Sequence, residues 1–118
     1  MNAPTPDPDC IFCKIVAGEI PATIVHASDD SVAFRDVAPQ APTHVLVIPR
    51  SHYENAAALA DHEPATLADL FTTARAVAEA EGLAGYRAVF NTGAAAQQTV
   101  FHAHLHVIGG RELTWPPG

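Results

Sequence analysis

The chain is short of positive charge. Only six of its 118 residues are Lys or Arg, against 13 Asp and Glu, and the formal charge is −7. Those six (Lys14, Arg35, Arg50, Arg75, Arg87 and Arg111) are scattered and form no cluster. A long nucleic acid is bound mainly by neutralising its phosphates, so this composition argues against one as a partner. A small phosphate ligand needs only a few imidazoles, hydroxyls and amides, and is not excluded. Cysteine is scarce too: two residues cannot staple a disulfide-dense secreted scaffold. No apolar run approaches the roughly 20 residues of a membrane span, and the chain opens without the pattern of a secretory signal. These absences point to a cytoplasmic protein with no membrane partner.

What the chain does have is apolar mass. Hydrophobic residues make up 48% and the mean hydropathy is +0.10, enough for one domain to bury a core without staples. The Pro/Asp-rich opening, residues 1–9, has no periodicity and is expected to be a disordered tail before a single domain over residues 10–118. "CIFCKIVAGEIP" is apolar and closed by Gly18 and Pro21, as a turn or short helix would be. "ATIVHAS" and "SVAFRDV" are β-rich runs separated by Asp29 and Asp30, a hairpin signal. "THVLVIP" is the strongest strand and ends at Pro49. Leu67, Leu70, Phe71, Ala74, Val77, Ala78 and Glu81 keep the spacing of an amphipathic helix, with Asp61, Glu63 and Pro64 near its start and Gly82 past its end. "YRAVFN" and "VFHAHLHVIGG" read as further strands around the small-polar loop "TGAAAQQ". The sum is an α+β fold: an antiparallel sheet of about five strands with one long and one short helix.

Seven histidines are present, and His102, His104 and His106 alternate within "HAHLHVI". On a strand they share one face while Ala103, Leu105 and Val107 share the other, so the apolar set is expected in the core and the imidazoles outward. Neighbouring imidazoles then stand about 6.6 Å apart at the backbone, from a rise of about 3.3 Å per residue. Two of them can share a phosphate or a metal, but three meet one small centre only if their side chains converge. Three unrelated structural histidines would each need a separate polar partner on that face. A metal site and a nucleophilic imidazole both use the pattern better. Neutral imidazole is a common zinc ligand, and one ring nitrogen can attack phosphorus when the other is protonated and anchored.

"HAHLHVI" matches the alternating signature of the histidine triad (HIT) family of nucleotide hydrolases and transferases. Taken with "CIFCKIVAGEIPA", "VAFRDVAPQAPTHVLVIPRSH", "VFN" and "GGRELTWPPG" in that order, the chain resembles the Hint branch, the histidine triad nucleotide-binding proteins. The resemblance implies a HIT-like fold and hydrolysis of purine nucleoside phosphoramidates or nucleotides, with AMP release from adenylyl compounds. The chemistry would run through a nucleotidyl-histidine on the middle histidine, here His104. His106 would hydrogen-bond the phosphate oxygens, and His44 or a backbone carbonyl would accept the Nδ1 hydrogen of His104. Thr99 falls where the branch generally carries a serine that meets the phosphate or leaving group. Gln97 falls where a glycine usually offers its backbone amide. Asn91 and Gln98 would contact phosphate or ribose, Asp36 and Val37 would read the ribose hydroxyls, and Ile11, Phe12, Ile15 and Phe34 would line a slot for the base. Without the resemblance, Asp36 is a turn residue ahead of Pro39 and the four apolar residues are core. Hint-type proteins pair as homodimers through the long helix and the sheet edge, and "WPPG" resembles the tail that reaches towards the partner's active site.

Cys10-x-x-Cys13 has two chemical readings. A thioredoxin-like redox pair follows a strand and opens a helix in a βαβ unit, whereas this pair follows a Pro/Asp tail. A structural zinc needs two more ligands, and with no other cysteine they must be histidines. His44 and His52 lie at opposite ends of "HVLVIPRSH" and cannot serve one centre. Beside an antiparallel strand over 101–108, His44 falls near His104 and His106, and His52 near His102. The resemblance agrees, since some family members hold zinc with the Cys-x-x-Cys, the histidine after the "IP" strand and the first triad histidine. Those residues here are Cys10, Cys13, His52 and His102. The zinc would be structural, with none required for the chemistry; the alternative is two small thiols packed under the first helix. Two rival functions stay open, a nucleotide sensor or adaptor with incidental turnover and a zinc hydrolase using the triad as ligands. His26 and His62 match no motif.

Overall fold

Thr43–Pro49 carries Val45, Leu46, Val47 and Ile48 in succession, and every residue of the run is buried. Side chains of a strand point alternately to its two faces, so such a run has to lie inside a sheet covered on both sides. It does. In the computed structural model, which describes residues 6–118, the elements in chain order are α1 (Ile11–Val16), β1 (Ile24–Ala27), β2 (Ser31–Arg35), β3 (Thr43–Pro49), α2 (Ala56–His62), α3 (Pro64–Ala80), β4 (Tyr86–Val89) and β5 (Leu105–Gly109). The sheet runs β1-β2-β3-β5-β4, with every neighbouring pair antiparallel. No helix among the described residues is long and apolar enough to cross a membrane.

Alternation sorts the core into two layers. Ala33, Val45, Val47, Leu105 and Val107 meet Leu70, Ala74 and Val77 of α3. Val32, Phe34, Leu46 and Ile48 face the other way and meet Phe12 and Cys13 of α1. At six residues α1 is too short to persist on its own helical propensity. Its start is closed by Cys10, whose Sγ accepts the Cys13 N–H at 3.4 Å, and its hold on the sheet comes from Phe12, the two thiols and the half-buried Ile15 and Val16.

Three expectations change. The helical stretch is two helices, because Glu63 adopts φ −137° and ψ 67° and Pro64, with no N–H and a preset φ, starts a new one. Phe71, placed by spacing on the buried face, is 47% exposed and meets Phe90 edge-on instead. The fifth strand is shorter than its sequence, since pairing covers only Leu105–Gly109. Ahead of it the Ala103 N–H donates to the Tyr53 carbonyl at 2.8 Å, not to a strand neighbour. The expected tail divides as well. Residues 1–5 lie outside the described residues, while residues 6–9 form an exposed turn in which Asp7 accepts from the N–H groups of Asp9 and Cys10.

The histidines keep their common side but do not look outward. His102 is fully buried and His104 is 9% exposed, because α1 and Phe12 lie over that face. Phe12 meets both rings edge-on, with centroids 5.9 Å from His102 and 5.1 Å from His104.

Candidate functional site

His104 and His44 each have one nitrogen held by the backbone, and that contact decides what the other nitrogen, and His106 beyond it, can do. His104 Nδ1 lies 2.8 Å from the His102 carbonyl. A carbonyl only accepts, so Nδ1 carries the hydrogen and Nε2 keeps its lone pair. Of the two acceptors expected for that hydrogen, the carbonyl holds it, and His44 pairs with His106 instead. His44 Nδ1 accepts the Gln40 N–H at 3.0 Å, which leaves its hydrogen on Nε2, 2.9 Å from His106 Nδ1. His106 accepts there and has its own hydrogen on Nε2. One backbone amide, at Gln40, therefore sets the tautomers of two rings in series. A lone pair on His104 stands beside an N–H donor on His106, with ring centroids 5.1 Å apart. Burial pushes His104 below the ordinary histidine range. Burial first, then the neighbouring His104 and His44, push His106 down to about 4. Both rings are neutral at pH 7.

Two cavities lie on either side of the Asp36–His44 contact. The first, of about 390 Å³, is lined by Ile11, Ile15, Phe34, Asp36 and Val37 among others. These are the residues expected around the base and ribose, with one exception. Phe12 is 6% exposed and lies beneath the cavity, against Phe34, His102 and His104, as core. Val37 stands wholly in solvent at the rim. Asp36 does two things: Oδ1 accepts the Ala38 N–H at 2.7 Å, closing a turn, and Oδ2 lies 3.5 Å from His44 Nε2. The second cavity, of about 330 Å³, has His44 and His106 on its wall together with Asn91, Gln40, Arg87 and Arg111. Neither arginine was singled out from the sequence. The β4–β5 register pairs Arg87 with Ile108 and Val89 with His106, which puts Arg87 on the triad face, but register is not visible in one isolated strand.

The loop between β4 and β5 corrects the expectation for Gln98. Its side chain is buried, donating from Nε2 to the carbonyls of Glu54 (2.6 Å) and Val100 (3.1 Å) and accepting the Gly93 N–H at Oε1 (2.9 Å). Its backbone N–H is also taken, by the Gly93 carbonyl. With every donor satisfied internally, Gln98 shapes the loop rather than reaching a ligand. Gln97 sits at φ 67° and ψ 29°, the left-handed region. That is the conformation a glycine adopts freely, and its N–H is held by the Ala94 carbonyl at 3.0 Å. Asn91 reaches the same loop through Nδ2, which donates to the Ala96 carbonyl at 2.8 Å. Thr99 is exposed and borders the cysteine end of the site, not the His106 cavity.

Behind His104 and His106, Cys10, Cys13, His52 and His102 bring four ligand atoms within 4.8 Å of one another. Zinc held tetrahedrally at about 2.3 Å from sulfur and about 2.0–2.1 Å from nitrogen sets S···N pairs about 3.6 Å apart and N···N pairs about 3.4 Å apart. The S···N distances here are 3.5, 3.3 and 3.6 Å, and the two Nδ1 atoms are 3.1 Å apart. The donor set and its spacing fit zinc. His102 Nε2 donates to the Pro49 carbonyl at 2.9 Å, an outer contact that aims the Nδ1 lone pair into the cluster. Burial pushes the Cys13 thiol up, the opposite of what a reactive redox cysteine needs. His44 pairs with the triad and His52 with the cysteines, in keeping with their places at the start of β3 and just past its end. Asp36, His44 and His106 also converge within 4.8 Å, but the hydrogen-bond chain from Gln40 accounts for that grouping.

The family model described as HIT domain matches residues 17–113. The chain belongs to the HIT family. An uncharacterised HIT-like protein of Synechococcus elongatus is 55% identical over 112 residues, covering 93% of this chain and 97% of that one. A 14 kDa zinc-binding protein of Zea mays is 44% identical over 115 residues, covering 95% and 90%. Among solved structures, a HIT family hydrolase from Legionella pneumophila superposes with a TM-score of 0.89 at 49% identity, over 93% of this chain and all of that one. The antiparallel α+β fold described above is thus the HIT fold, and its neighbours include HIT family hydrolases.

Proposed function

We propose that this HIT-family chain is a purine nucleoside phosphoramidate or nucleotide hydrolase of the Hint type, releasing AMP from adenylyl compounds by way of nucleotidyl-His104. The observation that carries this reading is the 2.8 Å contact from His104 Nδ1 to the His102 carbonyl. It leaves a neutral, oriented Nε2 lone pair between a base-sized apolar cavity and an N–H donor. In the first step His104 Nε2 bonds to the α-phosphorus while the bond from phosphorus to the leaving nitrogen breaks. The leaving amine departs with that electron pair and a proton from the medium. In the second step water bonds to phosphorus, the pair of the P–Nε2 bond returns to His104, and a proton is released. His106 Nε2–H steadies the phosphoryl oxygens in both steps, and Asp36 accepts from the ribose hydroxyls. Ile11, Ile15 and Phe34 hold the base. Cys10, Cys13, His52 and His102 bind a zinc that fastens α1 to the sheet and takes no part in the chemistry.

Residues 10–118 act as one cytoplasmic domain that pairs as a homodimer. Support for the pairing comes from the open β4 edge, where Tyr86 is 39% exposed, and from the exposed Phe71 of α3, which meets Phe90 just past that strand. The deciding experiment is mass spectrometry of protein acid-quenched during turnover of an adenosine phosphoramidate. An adenylyl mass on the peptide spanning 99–110, absent in His104→Ala with its zinc still bound, is the expected result. Unaltered ligand after long incubation would support the sensor reading instead. Metal loss in His104→Ala, with activity lost at once on chelation, would support the zinc hydrolase.

A further inference from the structure

The second cavity holds an unusual share of the chain's positive charge. Arg87 and Arg111 are two of only six Lys and Arg residues in a chain of charge −7, and both line it beside His44 and His106. Their hydrogen bonds go to backbone carbonyls: Arg87 to Thr114, and Arg111 to Gln40 at 3.2 Å and Glu112 at 2.9 Å. A carbonyl orients a guanidinium without cancelling its charge. The ion pairs among the described residues, Arg35–Glu81, His44–Asp36 and Arg75–Glu79, involve neither arginine. Asp36, the carboxylate 3.5 Å from His44 Nε2, lines the first cavity, not this one.

The two cavities border the same Asp36–His44–His106 line and share no lining residue. With the base in the apolar cavity and phosphorus at His104, the group displaced from phosphorus is directed to the other one. We propose that the second cavity is the leaving-group subsite and that Arg87 and Arg111 select leaving amines that carry an oxyanion, a carboxylate or a phosphonate. This rests on the hydrolase reading above and adds the leaving-group class to it. The anion takes no part in bond making: the amine leaves with the P–N electron pair as before and carries its negative group out past the two guanidiniums. Five donors in a planar fork suit such a group better than a neutral amide.

The test compares three adenosine 5′-phosphoramidates that differ only in the end of the amine: the β-alanine adduct (carboxylate), the β-alaninamide adduct (neutral) and the 2-aminoethylphosphonate adduct. In the wild-type protein the carboxylate and phosphonate substrates are expected to exceed the neutral one in kcat/KM by roughly tenfold, the size of one charge-assisted hydrogen bond. In the Arg87→Gln, Arg111→Gln double variant those ratios fall to about one. Using ratios within one protein removes any general effect of the substitutions on folding or on His104. A preference for only one of the two anions identifies which oxyanion the site takes. Equal turnover of all three by the wild type, or a preference that survives in the double variant, overturns this proposal alone. Absence of an adenylyl adduct with every substrate overturns the hydrolase reading and this proposal together.

Discussion

Stripping the metal tests the design of this site most directly, because α1 has so little else to hold it. Ordering its six residues costs about 1 kcal/mol each in backbone freedom and about 2 kcal/mol more in side-chain freedom, roughly 8 kcal/mol in total. Burying Phe12 returns about 3 kcal/mol at most and half-burying Ile15 and Val16 about 1 kcal/mol each, and the two thiols are small. A shortfall of about 3 kcal/mol is what the cluster of Cys10, Cys13, His52 and His102 must supply. For a chain of this length each kcal/mol moves the melting temperature by about 4 °C, so chelation is expected to lower Tm by roughly 12 °C. Its kinetic signature follows from what α1 touches. Ile11 and Ile15 form one wall of the apolar cavity, so KM for an adenosine phosphoramidate rises. The backbone that positions His104 is tied down independently, through Ala103 N–H to Tyr53 and His104 Nδ1 to His102, so kcat falls much less. The assay is elemental analysis showing about one zinc per chain, then differential scanning fluorimetry and steady-state kinetics with and without a strong chelator. Removal of zinc with a Tm change under about 2 °C would refute the reasoning. So would a collapse of kcat at constant KM, which belongs to a catalytic metal.

Gln97 holds a left-handed conformation that costs a non-glycine residue about 1–2 kcal/mol, partly offset by its lower chain entropy when unfolded. Gln97→Gly is therefore expected to raise stability by about 0.5–1 kcal/mol in urea titration with unchanged slope; a loss of stability would show that the glutamine makes compensating contacts. Gln98→Leu leaves the Gly93 N–H and the Glu54 carbonyl without their partner and should destabilise by about 2–3 kcal/mol, measured the same way, with a near-neutral result ruling out the clamp. His106 titrates near 4 when folded against 6.5 when unfolded. The unfolded chain thus takes up the proton first, and this contribution to stability is complete above about pH 6.5 and drains away as pH falls towards 4. Urea midpoints at pH 7.5, 6 and 5 should decline in wild type and decline less in His106→Gln; parallel declines would assign the pH dependence to other groups.

Much of the fold was legible because it rests on local alternation and spacing. "THVLVIP" read as the strongest strand from its apolar run, and it is β3 with unchanged ends, at the centre of the sheet. The pairing of His52 with the cysteines and of His44 with the triad followed from their separation along that strand. The misses have equally physical causes. The triad segment has the alternation of a strand but loses its first half to the contact between Ala103 and Tyr53, a long-range hydrogen bond with no local signature. The histidines were expected outward because an imidazole is polar; His102 and His104 are buried because a six-residue helix ninety residues away in the chain covers them and backbone carbonyls satisfy one nitrogen of each. Gln98 looked like a ligand contact because it is a polar residue in a loop, whereas its partners lie at Glu54, Gly93 and Val100.

The sequence by itself determined the five-stranded antiparallel α+β fold, the division of the histidines between His52 and His102 beside the cysteines and His44 beside His104 and His106, and the family. Those are consequences of residue type and period, which one chain carries in full. Tautomers, the role of Gln98, the burial of the triad and the two arginines beside His106 were decided only in three dimensions. Each depends on a backbone carbonyl, a backbone amide or a strand register contributed by a distant segment, and a backbone group has no residue type to announce it.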